Sequence, residues 1–275
     1  MKKYIYIYFL LAVAFSFTSC EEVIDVDLKT AAPRLVIDAA LKWEKDTDGS
    51  VQVIKLSTTT GFFNQNIPTV SGATVFVTNE ANEVFDFIET DPNSGNYVCT
   101  DFVPVLNGVY TLTVIQNGIT YAATETLMPV PPIDKIEQKN DGGFLGTDIE
   151  VRYFYTDNGM TDDFYLTRIK FSSYTIPEFG VISDELFQGN QFSDTYSNEE
   201  IKQGDQLDIT FSGISEGYFN YLRVLFSIAG STNGSPFQSP PATVRGNILN
   251  TNDINNFALG FFSLSETNNI VYVIE

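Results

Sequence analysis

A chain of 275 residues, 43% hydrophobic and 18% charged, has the composition of a core-forming protein and length for one large domain or two ordinary ones. Its 15 basic residues against 35 acidic ones leave a formal charge of −20, which argues against a nucleic-acid binder, since such a protein must bring positive charge to phosphates. The absence of His removes Ser/His and Cys/His catalysis and His-zinc sites, and 2 Cys cannot build a disulfide framework or a four-Cys zinc centre.

Met1-Lys2-Lys3 is a short basic start, and Tyr4 to Phe17 is apolar apart from Ser16. Thr18-Ser19-Cys20 follows, and then acidic residues. A basic start, an apolar run and small residues before a cleavage point describe a signal peptide over 1–19. A membrane-spanning helix would need about 20 apolar residues, and the run ends at Cys20. A Cys directly after small residues resembles a bacterial lipobox, which implies cleavage before Cys20 and acylation of its thiol and new N-terminus. Phe17 stands in the slot where that pattern most often has Leu. The alternative is an ordinary secretory signal with an incidental Cys. Acyl chains contribute about 0.8 kcal/mol per buried methylene, so two or three make a durable anchor. Residues 20–33 read as an acidic tether. In it Glu21, Glu22, Asp25 and Asp27 resemble the surface-export signal of Bacteroidota lipoproteins, the alternative being a solvated linker. Loss of Lys2 and Lys3 leaves 13 of the 15 basic residues against 35 acids, a mature charge of −22. That field is compatible with calcium or basic partners without requiring either.

Residues 34–128 show period-2 patterning. Strands are expected over 35–41, 51–58, 73–78, 84–88 and 96–101, with turn residues between them. Tyr110, Leu112 and Val114 alternate with Thr111 and Thr113, and Asn117-Gly118 separates them from Ile119–Ala122. That pair is a strong hairpin signal. About seven short strands over about 95 residues read as an immunoglobulin-like β-sandwich without the Cys-Trp-Cys core. Cys99 falls in a strand and is expected to be a buried, unpaired thiol.

Pro129-Val130-Pro131-Pro132 breaks the pattern. It is expected to be a stiff linker between domains, or else a crossing within one larger fold. Beyond it, 133–275 resumes strand patterning around 149–155, 168–171, 207–211, 257–265 and 269–274. Apolar residues at 218, 221, 222, 225, 226 and 229 follow helical spacing, so an amphipathic helix is expected over 215–229, capped by Ser215 and lying on a sheet. Segments 174–202 and 230–256 show no period and are expected to form partner-facing surface. The predicted fold class is mainly β: two β-sandwich-like domains, the second with one helix packed on its sheet.

Catalytic residues are not legible. Asp162-Asp163, Asp184-Glu185 and Glu199-Glu200 are paired acids of the kind glycosidases use across a cleft, but so acidic a chain contains adjacent acids by chance. Asp46-Thr47-Asp48-Gly49-Ser50 fails the calcium-loop pattern at its sixth and twelfth positions, Val51 and Ser57, and reads as a hairpin turn. No phosphate loop or nucleophile elbow appears. Phe62 and Phe63, in a turn-like stretch, are candidates for a partner surface or a plug on the sandwich end. Trp43 is slender evidence for a sugar platform. No cofactor and no metal-ligating set is expected.

Four phrases carry a family resemblance: Cys20–Leu28 with Pro33–Ile37; Val70–Val75; Leu127–Asp134; and the helix followed by Pro236-Phe237, Pro240-Pro241-Ala242-Thr243-Val244-Arg245-Gly246-Asn247-Ile248 and Gly260–Ser263. With these the chain resembles the domain-of-unknown-function 4249 family of Bacteroidota lipoproteins across essentially its whole mature length. The resemblance implies a gene neighbourhood with TonB-dependent receptors and brings no catalytic residues. Pro240, Pro241 and Asn247 become candidates for a partner surface, packing being the alternative. The expected function is a non-enzymatic outer-membrane lipoprotein, facing the exterior, that helps a TonB-dependent transporter capture or admit a ligand. A surface hydrolase with paired carboxylates and a structural or adhesive module are the alternatives.

Overall fold

The computed structural model describes residues 32–61, 64–230 and 244–275. Cys20, Glu21, Glu22, Asp25, Asp27, Phe62, Phe63, Pro240 and Pro241 lie outside the described residues. In chain order the elements are β1 (Leu35–Glu44), β2 (Gln52–Thr58), β3 (Thr74–Asn79), β4 (Val84–Glu89), β5 (Asn96–Cys99), β6 (Val109–Gln116), β7 (Ile119–Met128), β8 (Ile133–Gly142), β9 (Asp148–Thr156), β10 (Phe164–Phe171), β11 (Glu178–Ser183), β12 (Gln191–Ser197), β13 (Gln206–Ile214), α1 (Glu216–Gly230), β14 (Leu249–Asn250) and β15 (Leu259–Val273). A 3-10 turn, Asp184–Leu186, separates β11 from β12. No helix among the described residues is long and apolar enough to cross a membrane.

Strand alternation does what the sequence pattern requires. Ile37, Ala39 and Leu41 of β1 turn inward, as do Ile54 and Leu56 of β2, Val75 and Val77 of β3 and Leu112 and Val114 of β6. β6 and β7 pair up to Gln116 and Ile119, so Asn117 and Gly118, with φ of 51° and 76°, form the two-residue turn their sequence calls for. The order β15-β1-β2-β5-β4-β3-β6-β7 returns to β15 through Leu264–Leu127 and Ser265–Met128, closing a barrel-like ring of 8 strands around the first core.

β15 then runs out of the ring. Its far half pairs with β13 from Ser212–Thr267 to Gln206–Val273, and β10 and β11 extend the sheet. A separate sheet, β12-β9-β8, contributes Val151, Tyr153, Tyr155 and Tyr196 to a second core, which β10 and β13 complete with Tyr165, Phe171, Leu207, Ile209 and Phe211. On the other face of β10 and β13, Leu166 and Ile214 pack with Phe219 and Leu222 of α1. Ser215 caps that helix: its Oγ accepts from the Tyr218 amide at 3.2 Å.

Three expectations change. Residues Pro33–Glu275 form one compact unit, and the prolines at 129–132 are a packed crossing within it, not a free spacer. Leu127 lies in the first core and Val130 in the second. The Val130 amide donates to Glu266 of β15 at 2.9 Å, and Glu266, nearly buried, pairs with Lys45 at 2.8 Å. The two runs expected at 257–265 and 269–274 are one strand, Leu259–Val273, in which Glu266 is held by those partners. Segment 174–202 is not loop but β11, the 3-10 turn and β12, while β8 was not foreseen. These are short or polar outer strands, half in solvent, and β8 carries register shifts that erase its period.

Candidate functional site

An open cleft of about 700 Å³ lies between the start of β10, the 3-10 turn and the first turns of α1. Phe164, Asp184, Glu185 and Gln188 from β10 and the segment around the 3-10 turn, Glu216, Phe219, Asn220 and Arg223 from α1 with its cap Ser215, and Met128 at the end of β7 line it. Glu216 stands in the first turn, where a carboxylate is favoured by the helix dipole. Arg223 is the one cation among the lining residues, its guanidinium 5.5 Å from the Phe219 ring centroid.

Behind the cleft wall, Asp184 joins Asp157 and Asp163. One carboxylate oxygen from each lies within 4.8 Å of the others. Asp157 accepts from the Tyr165 hydroxyl at 2.5 Å and from the Gly189 amide at 2.9 Å. Asp184 accepts from the Asp163 amide at 2.9 Å, and Asp163 from the Thr161 hydroxyl at 3.0 Å. Burial, then the charges of neighbouring Asp residues, raise Asp163 and Asp184 above the ordinary carboxylate value, against their hydrogen bonds. Tyr153 donates to Asp194 at 2.7 Å; burial first, then carboxylate charge, pushes Tyr153, Tyr155 and Tyr165 far above the usual phenol range.

Two of the three paired-acid candidates converge here. Asp163 enters the cluster while Asp162 faces the cleft and accepts from Gln188 at 3.1 Å. Asp184 is buried and Glu185 is exposed beside it. The third pair lies apart from both: Glu200 accepts from Tyr174 at 2.7 Å. Asp157, which completes the cluster, was missed by sequence reasoning. Its Asp-Asn-Gly context looks like any turn after a strand.

The remaining candidates have structural places. Asn247 is partly buried, donates to Glu125 at 3.2 Å and exchanges hydrogen bonds with the Phe262 backbone at 2.8 and 2.9 Å, so its amide is spent inside the fold and not on a partner surface. Trp43 packs on the first core and donates to the Thr47 carbonyl at 2.9 Å, as part of a turn. Asp48 accepts from Ser50 at 3.1 and 3.0 Å, the hairpin-turn chemistry expected of it. Cys99 is buried and free as expected, and burial pushes its thiol up to about 11.

Glu125 gives a pH prediction. Burial raises it, against hydrogen bonds from Ser215 and Asn247. A raised carboxylate binds its proton more tightly folded than unfolded, so its contribution is present below the unfolded value, about 4.3, and is lost as pH rises through the folded one. Glu125→Gln keeps the acceptor and removes the charge. The variant is expected to melt above the wild type at pH 8, with the difference shrinking as pH falls toward 4. Equal melting temperatures at both pH values would refute this.

Comparison with known proteins adds a family and little else. The family model described as a domain of unknown function (DUF4249) matches residues 21–270. No curated protein matches the chain. Among solved structures it is similar to a two fibronectin type-III domain segment from chicken tenascin, at 7% identity over 66% of this chain and 90% of that one, with TM-score 0.22. It is also similar to the chicken CNTN1 FN1–FN3 domains, at 13% identity over 66% and 60%, with TM-score 0.26. A DUF4785 family protein from Legionella pneumophila stands at 9% over 64% and 51%, with TM-score 0.25. Likenesses this slight carry no functional inference.

Proposed function

The chain belongs to the domain-of-unknown-function 4249 family, and from that premise we propose that it is a lipid-anchored protein of the outer membrane, facing the cell exterior, that helps a TonB-dependent transporter capture or admit a ligand. The observation that carries this reading is Cys20, set directly after an apolar leader and before Glu21 and Glu22. The body then acts as one compact unit with two cores, and the cleft between the 3-10 turn and α1 is where a ligand is held. The role needs no catalysis. It needs a folded body kept at the membrane and a concave surface, and the cleft supplies the second.

The test begins with the mature N-terminus. Mass analysis is expected to find it at Cys20 with acyl chains attached, and Cys20→Ser is expected to move the protein from the membrane to the soluble fraction. Protease treatment of intact cells should release the body, and mild-detergent purification should bring a TonB-dependent transporter with it. A bare thiol at Cys20 would end the anchor; recovery free of any transporter would end the accessory role.

One observation favours a second reading, a surface hydrolase. Asp184, with a raised pKa, and Glu216 line the same cleft. Turnover of glycan substrates that is lost in Glu216→Gln would favour it over capture.

A further inference from the structure

Asp157 and Asp163 stand at the two ends of the connection from β9 to β10 and Asp184 follows β11, yet their carboxylates meet within 4.8 Å. Asp157 is 5% exposed and Asp184 1%. The ion pairs among the described residues join Lys45, Lys135 and Arg152 to Glu residues, so none reaches this cluster. Like charges brought together out of water are unfavourable unless something positive joins them.

Tyr155 is an independent observation at the same place. Its side chain is fully buried and its hydroxyl has no hydrogen-bond partner. Neighbouring Tyr153 and Tyr165 each set a hydroxyl on an Asp, while Tyr155 does not. Its ring packs 5.4 Å from that of Tyr165, whose hydroxyl donates to Asp157, and 6.1 Å from that of Phe187, whose amide donates to the Asp184 carbonyl, so it lies beside the cluster.

We propose that Asp157, Asp163 and Asp184 form a calcium site, with the Tyr155 hydroxyl accepting from a water on the ion. The donors are all hard oxygens, which suit calcium and magnesium and not thiophilic metals. Calcium takes oxygens at about 2.3–2.6 Å in flexible geometry and can accept three carboxylates gathered within 4.8 Å of one another, whereas magnesium at about 2.1 Å demands a near-ideal octahedron and usually keeps several of its waters. The hydrogen bonds from Tyr165, Gly189, Thr161 and the Asp163 amide orient the carboxylates and leave lone pairs for the ion. Asp184 also lines the cleft, which gives the ion a route in. Binding then fixes the 3-10 turn, so calcium sets the shape of one cleft wall. The inference does not depend on the lipoprotein reading.

The experiment uses protein stripped with EDTA. Terbium is titrated with excitation of tyrosine, followed by competition with calcium and with magnesium, and the melting temperature is measured with and without calcium. One terbium per chain is expected to give sensitised emission. Calcium should displace it in the about 10⁻⁴–10⁻³ M range of extracellular modules, magnesium only at higher concentration, and calcium should raise the melting temperature. Asp163→Asn is expected to lower calcium affinity about ten-fold or more and Tyr155→Phe about three-fold, while Glu199→Gln, at an exposed acid outside the cluster, leaves it unchanged. The proposal is overturned if calcium leaves the wild-type melting temperature unchanged and quenches no terbium emission, or if Asp163→Asn binds like the wild type. Should Asp163→Asn fail to fold, the wild-type titration and Tyr155→Phe decide by the same two readouts.

Discussion

Phe211→Ala is expected to destabilise the protein by about 3–5 kcal/mol, measured by urea unfolding. Phe211 is fully buried in the second core, at the meeting point of three rings. Its centroid lies 4.5 Å from Tyr155, 4.9 Å from Tyr165 and 6.0 Å from Tyr153. Truncation forfeits the transfer free energy of the ring and leaves a cavity that the strands of two sheets cannot close, since each strand is held by its own ladder. The cavity also loosens Tyr155 and Tyr165, the latter holding Asp157 of the carboxylate cluster through its hydroxyl. Because β15 belongs to both cores, the loss is expected to appear as an earlier single transition and not as early melting of one half. A cost below about 1 kcal/mol would mean that the aromatic cluster contributes little to stability.

Gly260→Ala is expected to be nearly as damaging, on the order of 3 kcal/mol, and for a different reason. Gly260 has φ of +99°, a region that L side chains rarely adopt, and an added Cβ would stand 1.9 Å from the Ile37 carbonyl oxygen. Ile37 is its register partner in the parallel pairing of β1 with β15. On the other side, Gly246 brings its own backbone so close that a Cβ there would meet the Gly260 carbonyl at 1.7 Å. Three backbone segments therefore meet where β15 enters the ring. A methyl at Gly260 pushes β15 off β1 and strains the chain locally. Gly61→Ala is the control: a Cβ there meets nothing within 4 Å, and a change within about 0.5 kcal/mol is expected. Thermal melting of the two variants side by side decides the matter, and equal melting temperatures would refute the crossing as a steric requirement.

The same crossing gives the Gly246-Asn247-Ile248 phrase its physical meaning. Gly246 permits the close approach, Asn247 exchanges hydrogen bonds with the Phe262 backbone, and Ile248 is buried in the first core. In the sequence these residues stand out as a phrase of the family resemblance, with a partner surface or packing as the two readings; of Asn247, the structure shows an inward-facing amide.

What the sequence determined by itself is what neighbouring residues can encode. Alternation every second residue placed β1 to β6 to within a few positions and the start of β7, Asn117-Gly118 set their last hairpin, and 3.6-residue spacing with Ser215 marked α1. The tertiary structure decided the rest. That β15 serves both cores depends on pairing Val36 with Leu259 and Leu127 with Leu264, partners far apart in the chain. That β8, β11 and β12 are strands depends on a neighbouring sheet, because their own polar, half-exposed residues carry little period. The carboxylate cluster joins Asp157 and Asp163, at the two ends of the β9–β10 connection, to Asp184 after β11, and no spacing along the chain foretells that they meet. Local geometry is written in side-chain order; contact between distant residues is set only when burial of the whole apolar surface chooses one packing.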